Sequence, residues 1–470
     1  MATDFDLIVI GSGPGGYTAA IRAAQLGYKT AIVEKYPVLG GTCTNVGCIP
    51  SKALLDSSEL MHNILHKTAK QGIDISPDAV KLNFPTMIER KANVVKQNND
   101  GLNYLMKKNK ITVLSGTGSF VNNTQLKVTA ADKTEKTYSS TWFIIATGSK
   151  PSTIPGVTIN KTRIITSTEA LSLKERPQSM IIIGGGVIGV EMASVFSRIG
   201  VKVTIIEYAD SLIPTMDKEL GKELQKLLTR DGISILVSSK VQSANDNGNN
   251  TTVAYLDSKN APQEATADYC LVAVGRKPYT AGLGIENTKV KLDDKGRVET
   301  NEKLQTAEPN IYAIGDVVKG AMLAHKAEDE GVFAVEIIKG LSPHIKYHLI
   351  PNVVYTWPEV ASSGYTEEQL KEKGIPYNKG KFPFIASGRA RAADDTDGFA
   401  KVLTDPKYGE VLGVHIISAR AADLIAQAVV TMEFEITDVE MGKIPYAHPT
   451  FSEALKDAYL GASGRGMINM

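Results

Sequence analysis

The sequence predicts an α/β chain of three parts, two wound around parallel sheets and the last an α+β module. Three observations carry this. An apolar run, Phe5 to Ile10, enters a glycine loop and then a helix-forming stretch. The same order recurs from Ser179. Beyond Pro351 the pattern changes to short strand candidates separated by turns. At 470 residues the chain exceeds one ordinary core, and two to four domains are expected.

Composition narrows the function classes. With 52 basic against 51 acidic side chains the formal charge is +1, so no global field favours nucleic acid or an anionic membrane. Three cysteines exclude a dense secreted disulfide framework. No apolar run reaches membrane-spanning length, and the run near Ile181 meets Glu191. The first residues carry acids where a signal peptide would carry positive charge. A soluble, cytoplasmic chain is expected, or one in an organelle matrix if a targeting segment has been removed.

In the first unit, Gly11, Gly13 and Gly16 complete a G-x-G-x-x-G pattern between the Phe5 run and the helix-forming Tyr17 to Leu26. That setting supplies a tight turn, backbone access for a pyrophosphate and close helix packing. Lys29 to Glu34 then reads as a second strand, ending in an acid 23 residues after Gly11 that can accept hydrogen bonds from a ribose. The complete unit is a Rossmann-like dinucleotide-binding motif.

Next comes Gly40-Gly41-Thr42-Cys43-Thr44-Asn45-Val46-Gly47-Cys48-Ile49-Pro50-Ser51-Lys52. Two cysteines immediately beyond a nucleotide loop read as a redox pair, or else as two unlinked cysteines near a helix start. In an ideal helix a five-residue separation leaves Cα atoms roughly 8 to 9 Å apart, whereas a disulfide needs less than about 7 Å. Pairing therefore requires a distorted turn, for which Gly47 and Pro50 supply local irregularity.

Residues 53 to 110 read as mostly helical, with Gly72 through Pro85 interrupting. Strands follow at Ile111 to Leu114 and Gln125 to Thr129, separated by turn-rich sequence. A further strand in Tyr138 to Ser149 enters a loop at Gly148 that can return to the first nucleotide. Pro151 and Pro155 mark a crossover.

In the second unit, Gly184, Gly186 and Gly189 repeat the fingerprint, and Val201 to Glu207 again ends in an acid 23 residues from the first glycine. Glu207 repels an additional ribose phosphate, so NAD is preferred to NADP. Glu191 reads either as a salt-bridged helix residue or as shaping the nicotinamide side. Cys270, in an apolar strand, reads as core. Arg276 reads as a phosphate clamp or a solvated loop charge. Asp316, in Asn310 to Asp316, reads as a flavin ribityl ligand or as the N-cap of the helix from Leu323 to Ile338.

In the last part, strands are expected at Val353 to Trp357, Phe399 to Leu403 and Val411 to Ile417, with helices at Ala421 to Phe434 and Ser452 to Tyr459. His448-Pro449-Thr450-Phe451-Ser452-Glu453 offers an acid–base dyad in which His448 takes a thiol proton and Glu453 orients the ring. Thr450 and Glu453 also fit a capping box, a structural alternative. No metal-ligand set is expected.

Over essentially its full length the chain resembles the flavoprotein disulfide reductases, the pyridine nucleotide-disulfide oxidoreductase family. The resemblance rests on Gly41-Thr42-Cys43, Asn45 to Lys52, Gly315-Asp316 and His448 to Glu453, which occur in family order. It implies an FAD-binding domain from residues 1–150 and 280–350, an NAD-binding domain at 151–279, and a C-terminal dimerisation domain at 351–470. Gly11, Gly13, Gly16, Glu34, Lys52, Gly148 and Asp316 match FAD-facing positions. Gly184, Gly186, Gly189, Glu207 and Gly275 match the NAD side. Cys43 is implied to exchange with a dithiol substrate, Cys48 to face the flavin, and His448, held by Glu453, to serve as base from the partner subunit.

Within the family, Ser51, Glu207 and the lack of a terminal extra cysteine pair point to the branch that oxidises protein-bound dihydrolipoamide with NAD. Its implied partners are a second copy of the chain and the lipoyl domains of 2-oxoacid dehydrogenase or glycine cleavage complexes, with no nucleic acid and no membrane. The alternatives are another disulfide or metal reductase and a non-catalytic flavin-bound assembly protein. Two departures from the family pattern are Ser418 to Ile425, usually richer in glycine with a glutamate near Asp423, and Tyr446, where this branch often has histidine.

Overall fold

The computed structural model describes residues 3–470. The chain forms two compact units. Among the described residues, one comprises 3–53, Ile88–Ser152 and Gly275–Ile345; the other comprises Leu54–Met87, Thr153–Val274 and Lys346–Met470.

The first unit is built on five parallel strands in the order Thr112–Ser115, Thr30–Glu34, Phe5–Ile10, Glu135–Ile145 and Ile311–Ala313. Phe5–Ile10 is almost continuously apolar because both faces of this strand are covered. Ile8 and Ile10 pack with Phe120 and Phe143 on one side, while Leu7 and Val9 meet Ala19, Ala20 and Ala23 of the Pro14–Gln25 helix on the other. Glu135–Ile145 also pairs antiparallel with Gln125–Thr129, which pairs with Thr117–Asn122. The last strand lies where the sequence predicted only turns. Its register buries Phe120 at 1% exposure, a two-residue alternation too short to stand out beside neighbouring glycines and asparagines.

The second unit repeats the parallel plan with Ser234–Leu236, Lys202–Ile206, Ser179–Ile183, Tyr269–Val272 and Ile164–Ile165 in that order. Cys270 is fully buried in Tyr269–Val272, as expected of a core residue, and burial pushes its thiol up to about 12. The unit also holds a three-stranded meander, Lys240–Asp246, Thr251–Leu256 and Pro262–Ala267. Its third sheet is antiparallel, in the order Asn352–Val354, Glu359–Gly364, Val411–Ser418, Phe399–Thr404 and Asn378–Pro383. Phe382, Phe384 and Tyr459 lie in its core with residues of the Ala421–Glu433 and Glu453–Ala462 helices. The strand expected at Val353 to Trp357 ends at Val354, before the cis Trp357–Pro358 bond.

A buried ionic cluster ties the Lys218–Arg230 helix to this sheet. Lys401 and Asp217, both 0% exposed, pair at 2.6 Å, and Lys401 also reaches Glu367 at 3.2 Å. Asp217 additionally caps the helix by accepting from the Glu219 N–H, and accepts from the Glu367 N–H. Removing the cation leaves two carboxylates in a low-dielectric interior. Lys401→Met is expected to lower unfolding stability by about 3–5 kcal/mol in urea titration.

Ser418 to Ile425 runs from strand to helix, and the Ala422 N–H donates to Glu359 at 2.9 Å. Burial, reinforced by Asp423 and Asp56, pushes the Glu359 carboxyl up to about 7 despite the Ala422 N–H and Arg420. Between its ordinary value of 4.5 and about 7 the folded chain keeps a proton that the unfolded chain releases, so stability falls as pH rises through that window. Glu359→Gln is expected to remove this slope, with the variant gaining on the parent in urea unfolding as pH is raised from about 5 to about 8.

Candidate active site

Each glycine loop leads into the N-terminus of a helix, Pro14–Gln25 in the first unit and Val187–Arg198 in the second. A Cβ on Gly16 would lie 1.9 Å from the Gly11 carbonyl oxygen, and one on Gly189 would lie 2.0 Å from that of Gly184. These positions need glycine for helix–strand packing. Gly13 and Gly186, the helix N-caps, face open space, where a Cβ would meet nothing within 4 Å. Backbone N–H groups at such helix ends are suited to phosphate.

The acids closing the second strands do the same work in both units. Glu34 accepts from the Ser12 N–H at 3.1 Å, the Ser12 hydroxyl at 2.6 Å and the Tyr36 N–H at 2.9 Å. Glu207 accepts from the Gly185 and Ala209 N–H groups at 2.5 and 2.6 Å. Both carboxylates are thus aimed by the loops beside them, with lone pairs left for ribose hydroxyls.

Gly148 and Gly275 have φ of +70° and +112°, with open space at the Cβ position. Beside them, Arg276 is not a solvated loop charge: its side chain is half-buried and turned onto Ser149. Its Nε donates to the Ser149 hydroxyl at 2.7 Å and Nη2 to the Ser149 carbonyl at 2.8 Å, and that hydroxyl donates to Asp316 at 2.5 Å. Asp316 is not the cap of the next helix either, because Ala324–Ile338 begins after Leu323. It lies in the short Gly315–Val317 helical turn, which the buried Lys326–Glu330 pair holds from behind. Glu330 accepts from the Gly315 N–H at 2.7 Å and Lys326 donates to the Gly315 carbonyl at 3.2 Å.

The two cysteines flank a helix break. Gly41–Val46 is one helical segment and Cys48–His66 the next, separated at Gly47. A Cβ on Gly47 would sit 2.9 Å from the Thr42 carbonyl oxygen and 3.3 Å from the Cys43 Cα, so glycine permits this approach. Pro50 does not make the distortion; it sits in the first turn of the second helix, where its missing N–H costs nothing. Both cysteines are thiols, Cys43 half-buried and Cys48 exposed. The hydrogen bond with Cys48 is the largest cause holding the Cys43 thiol far above the ordinary range, followed by burial and the charges of Cys48 and Glu328, with Lys52 opposing. Glu328 is held by the Tyr17 hydroxyl, which donates to it at 2.8 Å. Burial and this contact raise the Tyr17 pKa.

Sequence reasoning missed Tyr17, Glu328 and the Lys326–Glu330 clamp. Only the four-residue spacing of Lys326 and Glu330 was a signal.

In the second unit, Glu191 is 3% exposed and accepts from the Tyr355 N–H at 3.0 Å. His448 is exposed, and its Nδ1 lies 2.8 Å from Glu453 Oε1. The other Glu453 oxygen accepts from the Thr450 N–H at 2.8 Å, so orientation of the imidazole and half of a capping box coexist. The Thr450 hydroxyl donates instead to the Ala447 carbonyl. Burial by itself would raise the Glu453 pKa, but the Thr450 N–H and His448 outweigh it and keep the carboxyl below its ordinary value. Tyr446 accepts at its hydroxyl from Gln427 at 2.6 Å and packs against the antiparallel-sheet core.

The pyridine nucleotide-disulphide oxidoreductase family matches residues 5–331, and its dimerisation domain matches residues 350–459. The chain is 46% identical over 468 residues to the mitochondrial dihydrolipoyl dehydrogenase of Caenorhabditis elegans, covering 99% of this chain and 94% of that protein. It is 45% identical to the mitochondrial enzyme of Sus scrofa, covering 99% and 92%. The solved HOCl-induced flavoprotein disulfide reductase of Escherichia coli superposes with a TM-score of 0.85 at 28% identity, covering 97% of this chain and 99% of that one.

The chain therefore belongs to the pyridine nucleotide-disulphide oxidoreductase family, as an FAD- and NAD-binding oxidoreductase with a C-terminal dimerisation domain that makes it a homodimer. Within that family it is closely related to dihydrolipoyl dehydrogenase, with chemistry of that kind at a redox-active cysteine pair near the flavin site.

The open N-cap predicts a separation of effects in the second unit. Gly186→Ala is expected to cost less than about 1 kcal/mol in thermal unfolding while raising the KM for NAD at least about tenfold, because the new methyl meets no protein atom within 4 Å and enters the open space at the helix N-terminus.

Proposed function

We propose that the enzyme oxidises protein-bound dihydrolipoamide to lipoamide with reduction of NAD, using Cys43 and Cys48 as the relay. The observation that carries this is the contact of the two cysteines across the Gly47 break, immediately beyond the first glycine loop. The relatives named dihydrolipoyl dehydrogenase support the substrate.

In the oxidised pair, a substrate thiolate attacks the Cys43 sulfur, forming a mixed disulfide and releasing Cys48 as a thiolate. The second substrate thiolate then attacks its own partner sulfur, closing the cyclic disulfide and releasing Cys43. Two electrons pass to the cysteine pair. The substrate thiol must lose its proton to attack as a thiolate, and His448 of the partner subunit, oriented by Glu453, takes that proton. Bound FAD supplies the two-electron acceptor for the pair and a hydride donor to NAD.

The FAD-facing groups in this reading are Gly11, Gly13, Gly16, Glu34, Lys52, Gly148 and Asp316. Gly184, Gly186, Gly189, Glu191, Glu207 and Gly275 serve NAD. In this reading residues 1–150 with 280–350 serve FAD, 151–279 NAD and 351–470 dimerisation. The partners are lipoyl domains of 2-oxoacid dehydrogenase or glycine cleavage complexes. Mitochondrial relatives support an organelle matrix rather than the cytoplasm.

Cys48→Ser is expected to retain FAD and lose NAD-dependent dihydrolipoamide oxidation; normal turnover would sink the relay. His448→Gln is expected to lower kcat by about 10²–10⁴-fold. Parallel assays with glutathione disulfide and mercuric ion, using NADH and NADPH, test the substrate assignment.

A further inference from the structure

The second unit contains a cavity of about 350 Å³ whose lining includes Glu59, His62 and His66 from the helix that begins at Cys48. Its cations are already matched. Lys67 pairs with Asp395 at 2.7 Å, Lys70 with Asp394 at 3.5 Å, Arg198 with Glu59 at 3.2 Å and Arg230 with Asp397 at 2.7 Å. A free anion would have to displace a carboxylate. Among the described residues, the His62 and His66 rings make no protein hydrogen bond or ion pair; their contact is with each other, centroids 4.7 Å apart and planes tilted by 48°.

We propose that His62 and His66 form a two-histidine chelate for a divalent transition-metal ion. The four-residue spacing puts both rings on one helix face. With metal–nitrogen bonds of about 2.0 Å and a ligand angle between square-planar and tetrahedral, two imidazole centroids sit roughly 4.4 to 5.1 Å apart. The observed separation falls in that range. Both rings must bind as neutral imidazole.

Two further features favour a cation. Glu59, one turn before His62, adds a carboxylate to the same lining; both its oxygens are buried without a hydrogen-bond partner, and Arg198 and Lys67 act on it as cations. His66 is the last residue of its helix, where the macrodipole favours positive charge. No set of three His, Cys, Asp or Glu donors is assembled among the described residues, so water completes the coordination. Imidazole pairs of this kind rank Cu²⁺ above Ni²⁺ and Zn²⁺.

The test uses the full-length FAD-containing enzyme with Cys43 and Cys48 oxidised, so that thiolates do not compete for metal. Cu²⁺ titration followed by electron paramagnetic resonance is expected to show one ion per chain with two equatorial imidazole nitrogens. His66→Ala and His62→Ala should each weaken binding at least about tenfold and leave at most one imidazole at the residual site. Thermal unfolding without metal checks that the variants remain folded, and His66→Ala, at an exposed helix end, should melt with the parent. A parent spectrum with fewer than two imidazoles, or unchanged affinity in folded variants, would overturn the proposal. Neither outcome depends on the identity of the thiol substrate.

Discussion

The redox chemistry depends on one interruption of helical geometry. Were Gly41 to His66 a single helix, Cys43 and Cys48 would project about 140° apart around its axis and their sulfurs would not meet. Gly47 allows the backbone to close on Thr42 and Cys43, nearer than a side chain at that position would permit. Asn45 steadies the approach by donating through its amide to the Leu39 and Gly41 carbonyls, both at 2.8 Å. A fresh 19-residue helix then starts at Cys48 and ends at His66. The residue that breaks the helix thus sets the geometry of the pair.

Around this break, charge is distributed according to what each place requires. Glu34 and Glu207 are held by local N–H groups, so each unit fixes a carboxylate at the end of its second strand. At Cys43 the hydrogen bond with Cys48 and burial hold the thiol above its ordinary range, with the charges of Cys48 and Glu328 adding and Lys52 opposing. Elsewhere in the second unit, Lys401 is compensated by Asp217 and Glu367, a cluster that specifies how helix and sheet dock.

The helix Cys48–His66 has different chemistry at its two ends. Its N-terminal end carries a cysteine of the redox pair and Lys52, whose charge opposes the upward shift of the Cys43 thiol. Its C-terminal end carries two imidazoles that share a cavity lining with Glu59, which pairs with Arg198. Both suit the helix macrodipole, which favours thiolate at the start and cations at the finish.

The sequence by itself determined the two strand–loop–helix nucleotide units, the buried strands, the place of the cysteine pair and the His448–Glu453 dyad. Each is encoded by residues a few positions apart, through apolar periodicity, glycine's lack of a Cβ or the reach of neighbouring side chains. Only the tertiary structure decided that Arg276 holds Ser149 against Asp316, that Lys326 and Glu330 grip Gly315, and that Thr117–Asn122 is a strand. Ser149 and Asp316 are 167 residues apart in the chain, and Lys401 and Asp217 are 184 apart. Such partners are chosen by which surfaces the folded sheets bring together, and a desolvated charge or hydroxyl must then take the partner that lies within reach.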